Sequence, residues 1–401
     1  MSSSIFAAVE MAPRDPILGL NEAFNADPRS TKVNLGVGVY FDDSGKIPLL
    51  AAVKAAEEAR MKAAPPRGYQ PIEGLATYNQ AVQNLLFGAG SEISKSGRVI
   101  TVEAIGGTGA LKIGADYLKR LLPHSGLYIS DPSWENHRAL FETSGFKVEH
   151  YPYYDPATRG VNFAAMKAFL SALPANAIVL LHACCHNPTG ADLSDAQWQE
   201  IAALCCERGL IPFLDMAYQG FAEGIDADAV ALRAMTATGQ PFFVSSSFSK
   251  SFSLYGERVG ALSIVTASKD EAARVLSQVK RVIRTNYSNP PTHGGAIVAA
   301  VLSSPELRKL WEDELAGMRL RIRAMRQGLV ELLARKGTTQ DFSFINQQRG
   351  MFSYTGLTVE QVERLKTEFG IYAVSTGRIC MAALNTSNIG YVADAIAKVT
   401  A

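Results

Sequence analysis

Residues 177–218 read AIVLLHACCHNPTGADLSDAQWQEIAALCCERGLIPFLDMAY, and this stretch decides the fold. Two short apolar runs, AIVLLHACC and LIPFLDMAY, flank SDAQWQEIAALCCERG, whose apolar residues recur at helical spacing. Strand, helix, strand in that order is the unit of a parallel sheet. The pattern continues in both directions from about residue 99 to 266, through GLYISDPS, KVEHYPYY, PFFVSSSFS and RVGALSIVT. A parallel or mostly parallel sheet with helices on both faces is therefore expected, with ligands at the carboxyl ends of its strands.

The bulk composition excludes several classes. With 47% hydrophobic and 19% charged residues the chain can bury a large core, and a net charge of +1 gives no field for a nucleic acid. No segment reaches roughly 18 uninterrupted apolar residues, and the N-terminus lacks a basic leader, so a cytoplasmic protein with no membrane partner is expected. The five cysteines include the pairs Cys184/Cys185 and Cys205/Cys206, which lack the spacing of zinc sites. Strand neighbours point to opposite faces, so Cys184 and Cys185 are not expected to share an ion, and no metal is expected.

A 401-residue chain carries more than one domain on average length. Between 305 and 336, apolar residues at Leu315, Met318, Ile322, Met325 and Leu329 form the core stripe of a long helix, a candidate connector. Arg319, Arg323 and Arg326 fall on another face, expected to be solvated. A smaller α+β section follows.

Three residues sit where strands should end. Asn187 follows AIVLLHACC in a turn set by Pro188 and Gly190, Asp215 ends the next strand with Tyr218 three residues on, and Lys250 follows a third strand among hydroxyls. Singly, each has an ordinary explanation: a turn asparagine, a helix cap, a surface lysine. GGTGALKIGADYLKRL, residues 106–121, places glycines and Thr108 before an amphipathic helix, where free N–H groups and the helix dipole form an anion seat. By itself it fits a tight turn equally well, and it fails both the dinucleotide and the Walker fingerprints.

Together these residues fit pyridoxal 5′-phosphate. Its aldehyde condenses with an amine, which Lys250 offers, and its ring nitrogen works as an electron sink only beside a carboxylate such as Asp215. Its phenolic oxygen accepts hydrogen bonds that the Asn187 amide and Tyr218 hydroxyl can donate. The phosphate takes the N–H groups around Thr108, the hydroxyls of Ser247 and Ser249, and the fork of Arg258.

CCHNPTG, DMAYQGF, SSSFSKSFSLYGERVG, RTNYSNPP and STGR, in that order, resemble the motifs of the class I aminotransferases of fold type I. This is the aspartate and aromatic amino acid aminotransferase family, and the likeness is strongest to its bacterial aromatic branch. It runs from DPILGLNEAF to the last helix. It implies an α/β fold with a large cofactor-binding domain, 41–314, and a small α+β domain built from 1–40 and 315–401. It also implies Lys250, Asp215, Tyr218 and Trp134 as catalytic residues, with Trp134 stacked on the cofactor ring. Gly107, Thr108, Asn187, Ser247, Ser249, Arg258 and Tyr69 complete the cofactor contacts. Gly38, Asn187, Trp134, Arg284 and Arg378 would bind substrate, with Arg378 clamping the α-carboxylate. His137 and His182 fit places behind the cofactor, or a packed core.

By the same resemblance Tyr69 and Arg284 reach into the neighbouring subunit's site, so a homodimer is implied. Aspartate-selective relatives tend to carry Lys and Thr where this sequence has Phe41 and Ile47, whereas Asn289 looks aspartate-like and Val39 is uninformative. An enzyme transferring the amino group of tyrosine or phenylalanine, and also aspartate, to 2-oxoglutarate by ping-pong kinetics is expected. The alternatives are a strict aspartate aminotransferase and a non-transaminating cofactor-binding protein on the same fold.

Overall fold

The computed structural model describes residues 4–12 and 16–401; residues 1–3 and 13–15 of the proposed small domain lie outside it. Its main sheet has seven strands in the spatial order Val99–Ile105, Val259–Val265, Phe242–Ser247, Ile211–Met216, Ile178–His182, Leu127–Asp131, Val148–Pro152. Six run parallel, and Val259–Val265 runs against both its neighbours. The expected mostly parallel sheet is thus present.

Helices cover both faces, which is why the strands read as unbroken apolar runs rather than alternating ones. Along Ile178–His182 every residue is buried; Val179 and Leu181 join one apolar cluster while Ile178 and Leu180 join another on the opposite face. The intervening helix Asp195–Arg208 has both ends fixed by sequence. Ser194 and Gln197 form a reciprocal capping box, and Gly209 terminates the helix at φ 62°, a conformation that suits a residue without Cβ. Loss of the Ser194 cap would cost about 1 kcal/mol.

Register brings the strand ends together. His182 pairs with Asp215, and Asp215 with Ser245, so three adjacent strands finish level and their loops open on one edge. The antiparallel strand starts at that same edge: Gly260 lies opposite Ser247 and Ala104. Arg258, just before it, is thereby delivered beside Gly106, whose N–H bonds the Arg258 carbonyl at 2.9 Å.

Pro305–Arg335 is one helix of 31 residues, about 46 Å long. Its stripe is buried at Leu315, Met318, Ile322 and Leu329, with Met325 partly buried against it. Near its start Trp311 stacks on Phe252, centroids 4.6 Å apart, and its Nε1 donates to the Ser251 carbonyl at 2.7 Å. The solvated face expected for Arg326 is not found. Arg326 is 4% exposed because it stands four residues after Ile322 and three before Leu329, at the edge of the buried stripe.

Beyond the long helix, Phe352–Tyr354 pairs with Arg378–Cys380, and Ile371–Tyr372 pairs in parallel with Val33–Asn34 from the other end of the chain.

Candidate active site

A cavity of 390 Å³ opens at the level strand ends, a size suited to a small molecule. Lys250, Asp215, Asn187, Tyr218, Trp134, Gly107, Thr108, Ser247, Ser249, Arg258, Gly38, His182 and Arg378 all line it. Tyr69 and Arg284 do not: both are exposed, Tyr69 at 96%, and the Arg284 guanidinium bonds the Ser288 hydroxyl. Phe41 and Ile47 also lie outside the lining, Phe41 partly buried against the core and Ile47 49% exposed.

One end of the cavity is built for an anion. Glycines 106 and 107 open the helix Gly106–Leu121, and Ser245 Oγ pins its first turn by donating to the Gly107 carbonyl at 3.1 Å. Arg258 Nη1 donates to Ser249 Oγ at 3.3 Å and to the Tyr255 carbonyl at 3.0 Å. At Gly106, φ is 67° and a Cβ would come within 2.6 Å of Arg258 Nη2, so a side chain there would push the guanidinium away.

Asp215 is 5% exposed, and its Oδ2 accepts from His137 Nε2 at 2.9 Å. His137 Nδ1 meets Ser133 Oγ at 2.9 Å, fixing the ring from its other side. Burial alone would raise the Asp215 carboxyl, but the hydrogen bond and charge of His137, with smaller contributions from His182 and Lys250, outweigh it and hold it below the usual range. Asp215 caps no helix; it stands inside its strand. His182, tilted against His137 with centroids 5.0 Å apart, is buried with no partner for either ring nitrogen, and burial lowers its pKa to about 3.

Lys250 Nζ lies 4.8 Å from the Tyr218 ring centroid. Burial lowers its pKa to about 8, Asp215 opposes the shift, and the charge of Arg258 adds to it. Asn187 Oδ1 accepts from Arg378 Nη1 at 3.0 Å, which orients the carboxamide and leaves its NH₂ as the donor. Burial pushes the Tyr218 phenol up, so it remains a donor at neutral pH.

At the other end Arg378, 2% exposed, donates from Nη2 to the Gly36 carbonyl at 2.7 Å and lies 4.3 Å over the Phe352 ring. Its Nε is buried and unpartnered, an orphan donor that a carboxylate would satisfy. Gly38 is required by close approach and not by a turn: a Cβ there would stand 2.7 Å from Phe352 Cζ.

Ile17, Leu18, Leu111, Tyr255 and Phe352 also line the cavity and carried no motif in the sequence. Ile17 and Leu18 fall within DPILGLNEAF, Leu111 within GGTGALKIGADYLKRL and Tyr255 within SSSFSKSFSLYGERVG, yet nothing in those stretches marks them as cavity wall. The Tyr255 hydroxyl accepts from the Tyr40 N–H at 2.8 Å.

Among the described residues, two clusters of ligand-type atoms lie within 4.8 Å of one another, His137–His182–Asp215 and Cys184–Cys185–Asp228. The second corrects the alternation argument for the two cysteines. The strand ends at His182, and Cys185 takes φ 52°, which turns both thiols to one side. Asp228 accepts from the N–H groups of Gly220, Ala222, Glu223 and Gly224, so its oxygens are already engaged.

The donor set fits pyridoxal 5′-phosphate: an anion cradle, a primary amine, a carboxylate held ionised, and two donors for a phenolate, with an orphaned guanidinium N–H beyond them. Residues 30–396 match the family model described as aminotransferase class I and II. The chain belongs to that family. It is an aminotransferase of the aspartate and aromatic type. It is 67% identical to an aspartate aminotransferase of Pseudomonas aeruginosa, over 99% of this chain and all of the relative. It is 52% identical to an aromatic-amino-acid aminotransferase of Escherichia coli K12, over 98% of this chain and all of that one. Among solved structures, an aromatic-amino-acid aminotransferase from Burkholderia pseudomallei, covalently bound to pyridoxal phosphate, superposes with a TM-score of 0.98 at 67% identity, with both chains fully covered. Among the described residues of this aminotransferase, no helix is long and apolar enough to cross a membrane.

Proposed function

We propose that this aminotransferase uses pyridoxal 5′-phosphate to transfer the amino group of tyrosine and phenylalanine, and also of aspartate, to 2-oxoglutarate, in the cytoplasm and as a homodimer. The observation that carries the reading is one cavity holding half-buried Lys250 and buried Asp215 between the Ser249–Arg258 cradle and the orphaned Nε of Arg378. The cofactor, when bound, supplies the electron sink that makes a substrate Cα proton removable.

The protein residues supply the rest. Gly107, Thr108, Ser247, Ser249 and Arg258 hold the phosphate, and Trp134, at the start of its helix, covers the ring. Asp215, kept ionised by His137, holds a proton on the ring nitrogen. Lys250, with its pKa near 8, is available as a neutral amine close to physiological pH, so its Nζ serves as the base that moves the Cα proton. Arg378 takes the substrate α-carboxylate through Nε, with Asn187 fixing the guanidinium. The two half-reactions share one site, hence ping-pong kinetics.

Two further parts of the reading rest on surfaces. Exposed Tyr69, Leu49 and Met61 support a partner-covered face, from which Tyr69 and Arg284 of the partner subunit would complete each site. The division into 41–314 and 1–40 with 315–401 draws support from the pairing of Val33–Asn34 with Ile371–Tyr372. Arg321 adds to it, binding the Tyr40 hydroxyl and the carbonyls of Ala382 and Leu384.

Aromatic donors are favoured by the apolar lining of Ile17, Leu18 and Phe352. An aromatic ring burying about 150 Å² gains about 3–4 kcal/mol at 25 cal/mol per Å². Phe41 and Ile47 would extend that lining once a partner closes over them. The alternative, a strict aspartate aminotransferase, is favoured by the name of the Pseudomonas relative. The test is kcat/KM for phenylalanine, tyrosine and aspartate with 2-oxoglutarate, in the wild type and in a Phe41→Lys, Ile47→Thr double variant. Aromatic turnover in the wild type that falls in the double variant, with aspartate turnover preserved, is expected. Its absence in the wild type establishes the alternative.

A further inference from the structure

Arg319, Arg323 and Arg326, at i, i+4 and i+7 on one face of the long helix, line a second cavity of 280 Å³. Phe221–Glu223 bound it on one side and Asn346–Gly350 on the other, adding a fourth guanidinium, that of Arg349.

The bonds these arginines make leave donors over. Arg319 Nη1 donates to the Gly220 carbonyl at 2.8 Å, and Arg323 Nη2 donates to the Ala222 carbonyl at 3.0 Å and to Glu223 at 2.9 Å. Arg326 gives Nε to Ser353 Oγ, and Nη2 to the carbonyls of Gly350 and Phe352. Arg349 Nε is 3.5 Å from Glu223. A guanidinium carries five N–H donors, so each keeps several.

Glu223 is the one carboxylate among the described lining residues, and its side chain is 43% exposed. Four positive charges thus surround one void with a single, half-solvated negative charge. Burial pushes Arg326 down to about 10, which leaves it charged at neutral pH. Like charges gathered around a polar space are an electrostatic liability unless an anion enters it, and guanidinium forks match oxyanions bidentately.

We propose that this cavity binds a small oxyanion of charge −2 or more, either a phosphate or phosphomonoester or a tricarboxylate. The anion would tie the long helix to segment 346–350. That segment adjoins elements of the catalytic cavity: the Arg349 N–H bonds the Gly190 carbonyl at 2.8 Å, three residues past Asn187, and Phe352, two residues beyond the segment, lies under Arg378. Occupancy would therefore be felt at the substrate carboxylate clamp.

The test uses the cofactor-loaded enzyme, in which the cradle around Thr108 is already filled. It is titrated calorimetrically with inorganic phosphate, and separately with citrate, at constant ionic strength set by chloride. Saturable binding of one of these anions, one per chain, is expected. An Arg319→Gln, Arg323→Gln double variant should weaken it by about tenfold or more. An Arg349→Gln variant, altered only in an exposed loop residue, should weaken it less and serves if the double variant fails to fold. Neither variant should change kcat in anion-free buffer. No saturable binding of either anion overturns the proposal, as does binding of equal strength in wild type and variants, which would place the anion at Arg378.

Discussion

Replacing Glu103 by glutamine should shift the protein's stability relative to wild type by an amount that grows as pH rises. Glu103 lies in the strand Val99–Ile105 and is 2% exposed. Its carboxyl is wedged between Gly74 and Gly295, where a Cβ would come within 2.6 Å and 2.1 Å of its two oxygens. Its Oε2 accepts from the Leu75 N–H at a long 3.4 Å. Burial raises its pKa from 4.5 to about 7, and that one hydrogen bond only partly opposes the rise. The folded state thus holds a proton that the unfolded chain releases, so this group favours folding fully below pH 4.5 and loses that advantage as pH climbs to 7. A shift of about 2.5 units corresponds to about 3 kcal/mol. Glutamine keeps the shape and an acceptor for Leu75 but does not titrate. The stability difference, variant minus wild type, should therefore grow by about 3 kcal/mol between about pH 4.5 and pH 8 and then level off. Denaturant midpoints of both cofactor-loaded proteins, at equal protein concentration across that range, measure it. Whatever constant offset the new amide introduces, the slope is the observable. Two parallel pH curves would refute the assignment of a neutral buried acid.

Lys250→Ala should still bind pyridoxal phosphate through the Arg258 end of the cavity, yet lose both its visible absorption band and turnover; near wild-type turnover would exclude Lys250 as the base. His137→Asn removes the hydrogen bond that holds Asp215 down. The acid limb of the kcat/KM profile should accordingly move to higher pH, and an unmoved limb would show that Asp215 does not govern it. Mixing Lys250→Ala with Arg284→Ala chains under subunit exchange should restore activity on aspartate at one site per hybrid dimer, whereas an active monomer would contradict the shared site.

The residues that sequence reading located best are those whose chemistry is scarce. An amine, a carboxylate and an amide at successive strand ends define a cofactor more sharply than they define a fold, and Lys250, Asp215 and Asn187 do line one cavity. Apolar contributors such as Ile17, Leu18 and Phe352 carry no such mark, because a cavity wall and a core wall use the same side chains. Arg326 reads as solvent-facing because it is a charged residue at the margin of an apolar stripe, although its spacing from Ile322 and Leu329 allows burial. The reversed strand Val259–Val265 has the same apolar pattern as its neighbours. Its direction was nevertheless legible in the connection from Ser247, which is too short and lacks the helix that a parallel crossover requires. Tyr69 and Arg284 stand apart from the cavity of a single chain, and periodicity holds no information about a second one.

The stacking of Trp311 on Phe252, with its bond to the Ser251 carbonyl, gives the long helix a fixed point one residue from Lys250. A rod held near one end is a lever. From Trp311 to Arg335 the helix runs about 36 Å, so a tilt of about 5° about that point carries its far end some 3 Å, roughly. The turn bearing the amine, at the fulcrum, would scarcely shift. The bonds from Arg319 and Arg323 to the Gly220 and Ala222 carbonyls limit that travel along the way, while the reactive nitrogen keeps its place.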